Sequence, residues 1–513
     1  MKLYGAFPVR LAVAAAMLVP MSLVAAGGAR AAVPSTFAGI RWASCPAPSP
    51  IQGSGGKPRA LRDGTPWECA TLRVPLDHAA PGRGSIDLAL IRARAKPKAG
   101  QKRIGSLVFN FGGPGGSGVA TLPLAAATFL KLHERYDLVS FDPRGVGESA
   151  GVRCLSDEAY DAMLALDASP DGAAEQQALL DGSRDFAAAC KANSGRVLPY
   201  VGTRAAARDM DLLRRALGDR KLYYYGASYG TELGGVYAHL FPANVGRMVF
   251  DAVVDPTADS AGHALAQAKG FQLALRNFLK DCATRSRCAT GKDAGRGAAQ
   301  ITALLKRLDE RSLPTRSGRV LTQSHATYGI ASALYSKETW KWLDRGLGAA
   351  KAGEGDLLLL FADALYGRDE KGRYNNLQPA NTAINCADSS ERYTVADVRR
   401  RMPAFRKASP VFGEFLAWSI LQCTGWPVAG ESRTVNVSAK GAAPILVVGN
   451  TGDPATPYAG ARRMATGLGK GVGVELIFKG QGHGAYGTNS CVTGRIDTYL
   501  LTGKTPRDRT VCG

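Results

Sequence analysis

Lys221-Leu-Tyr-Tyr-Tyr-Gly-Ala-Ser-Tyr-Gly-Thr231 is the stretch that decides the fold of this chain. An aromatic run with β propensity leads into Gly226-Ala-Ser228-Tyr-Gly230, and Leu233 to Phe241 beyond it can form a helix. A serine on so sharp a strand-to-helix turn holds its hydroxyl out at the end of a sheet. Glycines are needed on either side, because a Cβ there would collide with the adjoining backbone. The G-x-S-x-G pattern is not decisive by itself, since 61 glycines make accidental matches ordinary. Its surroundings carry the case.

Upstream, Phe109-Asn110-Phe111-Gly112-Gly113-Pro114-Gly115-Gly116-Ser117-Gly118 leaves a strand and bares a backbone without side chains. The N–H of Gly113 can point there at a developing oxyanion, together with the N–H of Tyr229. A phosphate-binding loop would use such glycines too, but the Gly-Lys-Ser/Thr ending is missing. Downstream, Ile445 to Val448 runs into Gly449-Asn450-Thr451-Gly452-Asp453, and Val474 to Phe478 runs into Gly480-Gln481-Gly482-His483-Gly484. Ser228, Asp453 and His483 thus each follow a strand, in the chain order of α/β-hydrolases. In that reading Ser228 is the nucleophile, His483 its base, and Asp453 the acid that holds the imidazole tautomer. Asp251, after Val249-Phe250, is the rival acid; the loop before His483 is the more usual source and favours Asp453. His239 falls on the helix expected after the Ser228 turn, and His78, His133, His263 and His325 lack glycine-loop surroundings, so all five are assigned to surface or satisfied core positions. Asp142-Pro-Arg144-Gly-Val-Gly-Glu-Ser149 ends a further strand in a tight turn, where Asp142 and Arg144 read as structural, a buried pair or supports for the loops.

Short β-type runs recur at Thr71 to Pro75, Ile86 to Ile91, Ser106 to Phe111, Tyr136 to Phe141, Lys221 to Tyr225, Arg247 to Phe250, Ile445 to Val448 and Val474 to Phe478. Helical stretches such as Ala205 to Leu217 lie between them, which predicts a mostly parallel sheet flanked by helices. From Pro256 the alternation stops. Amphipathic helices are expected at Ala264 to Leu279, Ala298 to Leu308, Ala326 to Ala349, Asp356 to Leu365 and Val395 to Met402. Because strands resume at Pro444, residues 256–434 read as a helical lid inserted into one α/β core made of residues 32–255 and 435–513.

The N-terminus has the pattern of a secretory leader over residues 1–31: Lys2 and Arg10, an apolar run from Leu11 to Ala26, then Ala29-Arg30-Ala31. Pro20 interrupts the run, which falls short of the roughly 20 apolar residues that span a bilayer, so no lasting membrane insertion is expected. The enzyme would be secreted or periplasmic. Ten cysteines suit an oxidising compartment. Connectivity is open from sequence, although nearest-neighbour pairing would staple five local loops and the close Cys282/Cys288 spacing favours it. No C-x-x-C pair or H-E-x-x-H helix suggests zinc, and no cofactor motif is found. The formal net charge of +21 raises nucleic acid as a partner, but the basic residues are dispersed; the densest group, Arg399 to Arg401, reads as a solvated helix face.

At Asn110–Gly118, Asp142–Ser149, Gly226–Thr231, Ala383-Ile-Asn-Cys-Ala-Asp388 and the region from Pro444 through His483 to Cys491 and Cys512, the chain resembles the prolyl and tripeptidyl aminopeptidase family of α/β-hydrolases, more closely the secreted tripeptidyl branch. The resemblance implies a lid over the site and removal of short peptides, or of a proline, from peptide substrates with a free N-terminus. Phe111 stands where prolyl enzymes often carry histidine, which weakens the strictly prolyl reading. Such enzymes hold the substrate ammonium with carboxylates, and Glu232, Asp388 and Glu391 are the candidates here. A secreted carboxylesterase with the same three residues is the alternative.

Overall fold

The computed structural model describes residues 39–513. The leader expected over residues 1–31 lies outside the described residues. Among the described residues twelve strands are formed: β1 Ala43–Ser44, β2 Glu68–Pro75, β3 Ser85–Ala93, β4 Gly105–Asn110, β5 Tyr136–Phe141, β6 Leu222–Ala227, β7 Val245–Asp251, β8 Leu313–Pro314, β9 Val320–Leu321, β10 Ile445–Gly452, β11 Gly473–Gln481 and β12 Thr510–Cys512. Ten of them make one sheet in the order β1-β2-β3-β5-β4-β6-β7-β10-β11-β12. It is antiparallel from β1 to β5 and parallel from β5 to β12. All eight expected strands are present.

Side chains alternate across the sheet into two cores. Val108, Tyr224, Phe250 and Val447 pack on one face, and Leu107, Phe109, Tyr225, Val249 and Val448 on the other. Helices cover both faces, so the central strands are buried on both sides, as β4 and β5 are at every position, and read as largely apolar runs. The parallel strands β4, β6, β7, β10 and β11 therefore end at a common edge, and the loops leaving them meet there.

Between β7 and β10 the chain adds no strand to this sheet, since β8 and β9 pair only with each other. The helices there share a core of their own, around Phe278, Ile330, Trp340, Leu343, Leu358, Phe405 and Phe412. The single helix expected from Ala326 to Ala349 is two, Gln323–Leu334 and Trp340–Lys351. Ser336 is extended at φ −137° and ψ 138°, and the Thr339 hydroxyl donates to the carbonyls of Ala333 and Ser336, which diverts the chain between the helices. Asp157–Leu164, Ala173–Ser194 and Leu377–Asp388 are helices beyond those expected.

All ten cysteines are paired, as 45–69, 154–190, 282–288, 386–423 and 491–512, each with its nearest neighbour in the chain. No helix among the described residues is long and apolar enough to cross a membrane.

Candidate functional site

Ser228 caps the helix Tyr229–Leu240 with φ +57° and ψ −126°, a conformation that side chains other than glycine seldom adopt. Its backbone is tied on both sides. The Ser228 N–H donates to the Asp251 carbonyl at 3.0 Å, and its own carbonyl accepts from the Thr231 N–H and hydroxyl at 2.8 and 2.7 Å. The flanking glycines are required: a Cβ on Gly226 would lie 2.3 Å from the Gly230 carbonyl, and one on Gly230 would lie 2.6 Å from the Asn110 carbonyl.

The glycine loop after β4 backs directly onto this turn. A Cβ on Gly112 would stand 2.8 Å from Ser228 Cβ and 3.2 Å from the Tyr229 nitrogen. Gly112 and Gly113 both have positive φ, +95° and +110°. The N–H groups of Gly113 and Tyr229 have no acceptor among the described residues. Asp142 fixes the far end of this loop, accepting from Ser117 Oγ at 2.6 Å, the Val119 N–H at 3.1 Å and Gln52 at 2.8 Å. Arg144 instead forks onto Asp209 at 2.6 and 2.7 Å, so Asp142 and Arg144 do not pair with one another.

His483 Nδ1 lies 2.9 and 3.1 Å from the two oxygens of Asp453, which is itself fully buried. Asp453 also accepts from the N–H groups of Ala455, Thr456 and Gly484 at 3.0, 2.9 and 3.3 Å. Burial works against the imidazolium, but the Asp453 charge and hydrogen bond outweigh it and raise His483 above its ordinary value. Asp251 has other partners. It accepts from the Tyr225 hydroxyl at 2.8 Å and from the N–H groups of Ala485 and Tyr486 at 3.1 and 2.9 Å, which moors the loop beyond His483.

Two further supports of His483 were not foreseen from sequence. Asn450 joins the two loops, donating to the Gly482 carbonyl at 2.7 Å while accepting from the N–H groups of Gly452 and Gly480. An asparagine inside Gly449-Asn-Thr-Gly452 was the available signal. The other support comes from the break before Trp340, which leaves the Tyr335 carbonyl free to accept from the His483 N–H at 2.7 Å; the Tyr335 ring stands edge-on to the imidazole at 5.1 Å. Nothing local marks this one, because it depends on where one helix stops.

The three acidic candidates separate. Glu391 is engaged by the Ser260 N–H at 3.0 Å, the Tyr393 hydroxyl at 2.7 Å and Arg433 at 3.2 Å. Glu232 and Asp388 have no cationic partner among the described residues. Asp388 ends the helix Leu377–Asp388 and accepts from the Thr203 N–H at 2.7 Å and hydroxyl at 2.6 Å; that hydroxyl lies 2.6 Å from the Tyr229 hydroxyl. The same helix meets the glycine loop, where Asn381 donates to the Pro114 carbonyl at 3.1 Å. The carboxyl of Glu232, half-buried and one helical turn beyond Ser228, has no hydrogen-bond partner among the described residues. Withdrawal from water, then the charge of Asp388, pushes Glu232 up to about 8. Asp388 is pushed up to about 7 by its own burial, against the Thr203 hydrogen bonds.

A serine on a strained turn at the strand edge, backed by a glycine loop and accompanied by a carboxylate-bound imidazole, defines a serine hydrolase of the α/β-hydrolase fold. The family model described as TAP-like protein matches residues 409–512. Serine protease Hip1 of Mycobacterium tuberculosis is 38% identical over 523 residues, covering 98% of this chain and 96% of Hip1. Carboxylesterase B of the same organism is 37% identical over 457 residues, 85% of either chain. Tripeptidyl aminopeptidase of Streptomyces lividans is 32% identical over 501 residues, 95% of this chain and 89% of that one. The chain belongs to this TAP-like family of serine hydrolases.

Proposed function

We propose that the protein is an exported aminopeptidase that releases short peptides from free N-termini through an acyl-enzyme on Ser228. His483 takes the Ser228 proton and returns it to the leaving amine, while Asp453 holds the tautomer and stabilises the imidazolium. The N–H groups of Gly113 and Tyr229 receive the oxyanion, and the helical segment 256–434 covers the site as a lid. The observation that carries the peptidase reading is the pair Glu232 and Asp388, carboxylates beside the Ser228 turn with no cationic partner among the described residues. A substrate ammonium supplies that cation, and its distance from the scissile carbonyl sets how many residues leave together. The relative named tripeptidyl aminopeptidase supports the same reading, and the five disulfides support export.

The relative named carboxylesterase B keeps a second reading open, a carboxylesterase using the same three residues. Hydrolysis of free-amine peptide anilides, their N-acetylated forms and a simple aryl ester separates the two. The aminopeptidase reading expects strong preference for the free amine; ester turnover without anilide cleavage would assign an esterase.

A further inference from the structure

At the opposite edge of the sheet, where the parallel strands begin, charge accumulates. Positions 92 to 103 hold six basic residues, Arg92, Arg94, Lys96, Lys98, Lys102 and Arg103, and no acidic one. Contacts gather them on one face. Lys98 pairs with Glu134 at 2.7 Å, Arg135 donates to the Lys102 carbonyl at 2.6 Å, and Arg103 bonds Asp137 at 2.8 Å and reaches Asp219 at 3.8 Å. Arg214 donates to the Asp219 carbonyl at 2.8 Å, with Arg220 and Lys221 next in the chain where β6 starts. A cavity of about 440 Å³ opens here, lined by Trp42, Arg92, Arg94, Arg103 and Ser106 among others.

The inner guanidinium groups have carboxylate partners, Glu68 for Arg92 and Arg94 and Asp137 for Arg103. The surplus lies around them: Lys102, Arg135, Arg220 and Lys221 form no ion pair among the described residues, and Lys96 donates to the carbonyl of Asp63, whose carboxyl its charge helps to hold down. Forked guanidinium donors match phosphate oxygens, and exposed lysines and arginines gain from displacing the counterions of a polyanion. No open aromatic face lines the cavity among the described residues. Trp42 is the aromatic side chain lining the cavity, and the Arg92 guanidinium lies 4.0 Å over its ring. Single-stranded nucleic acids rely on open aromatic faces, so the face favours a polymer without bases.

We propose that this edge is a docking face for a polyanionic polymer whose charge is carried by phosphate groups. A strand length of about 20 Å separates it from the Ser228 edge, so a tethered enzyme keeps its site open to peptide.

The test is binding of the full chain to inorganic polyphosphate as salt is raised, with polygalacturonate and a single-stranded RNA alongside. The variant Lys96→Glu/Lys102→Glu/Arg220→Glu changes only exposed side chains at this edge. Its affinity for polyphosphate should fall about tenfold or more and its salt dependence should become shallower. Lys96→Gln/Lys102→Gln/Arg220→Gln should lose less in the same direction. Arg399→Glu/Arg400→Glu/Lys407→Glu, on the helix Val395–Ala408, makes the same charge change elsewhere and should stay within about twofold of the parent. Anilide hydrolysis should be unchanged throughout. Equal losses at both places would reduce the effect to net charge and overturn the proposal, as would absence of binding. Tighter binding of RNA or polygalacturonate than of polyphosphate would overturn the phosphate-polymer assignment.

Discussion

Two carboxylates stand near the Ser228 turn and are treated in opposite ways. Asp453 receives three backbone N–H groups as well as the His483 ring, whereas Glu232 receives no donor among the described residues. A carboxylate so surrounded is fixed in orientation, which is what a partner of a catalytic base requires. An unpaired carboxylate withdrawn from water has the reverse property. It is pushed up to about 8, and in the proposed function an arriving ammonium would supply what it lacks. In the proposed function, one side of the turn holds geometry and the other holds capacity for a ligand.

Asp453→Asn breaks the saturated side. An amide presents a donor where the carboxylate accepted from Nδ1, so the imidazole takes the wrong tautomer, and kcat should fall about 10⁴-fold for anilide and ester alike. Steady-state kinetics on both substrates checks this; a comparable loss in Asp251→Asn with an active Asp453→Asn would move the role to Asp251. Glu232→Gln breaks the unpaired side. Removing one charged hydrogen-bond partner should lower kcat/KM roughly 10- to 100-fold on free-amine anilides and leave the aryl ester nearly unaffected.

Acidity sharpens the contrast. As pH falls through about 8 and then about 7, Glu232 and Asp388 take up protons and their hold on an ammonium weakens. KM for the free-amine anilide should therefore rise toward acid, while kcat on every substrate follows protonation of His483. A KM flat between about pH 6 and 9 would contradict the ammonium site.

The smallest effect is on stability. Both carboxyls sit above their ordinary values when folded, so the folded chain binds more protons than the unfolded one, and the stability linked to them declines as pH rises from the ordinary carboxyl range toward about 8. Glu232→Gln removes its share, and Tm should rise by a few degrees near pH 8 with little change near pH 4. A lower Tm near pH 8 would mean that Glu232 is a structural partner.

Much of this was legible in the chain. The strands stood out because burial on both faces makes them continuous apolar runs between glycine turns, as at Ser106 to Phe111 and Ile445 to Val448. Ser228, Asp453 and His483 stood out because each follows such a run in a glycine-rich loop. β1 and β12, two and three residues long, are too short to leave a period. The break before Trp340 escaped because apolar spacing continues through Tyr335, and the deciding hydrogen bonds come from Thr339. Glu391 and Glu232 look alike as letters. Only the fold brings Arg433 and Tyr393 to the first and leaves the second unpaired.

The most direct measurement is a cycle that removes the two partners separately and together: kcat/KM for free-amine and N-acetylated anilides with the parent enzyme and with Glu232→Gln. If the ammonium and Glu232 meet, acetylation should cost the parent at least about tenfold more than it costs the variant. Equal losses in both enzymes would mean that Glu232 does not read the substrate N-terminus.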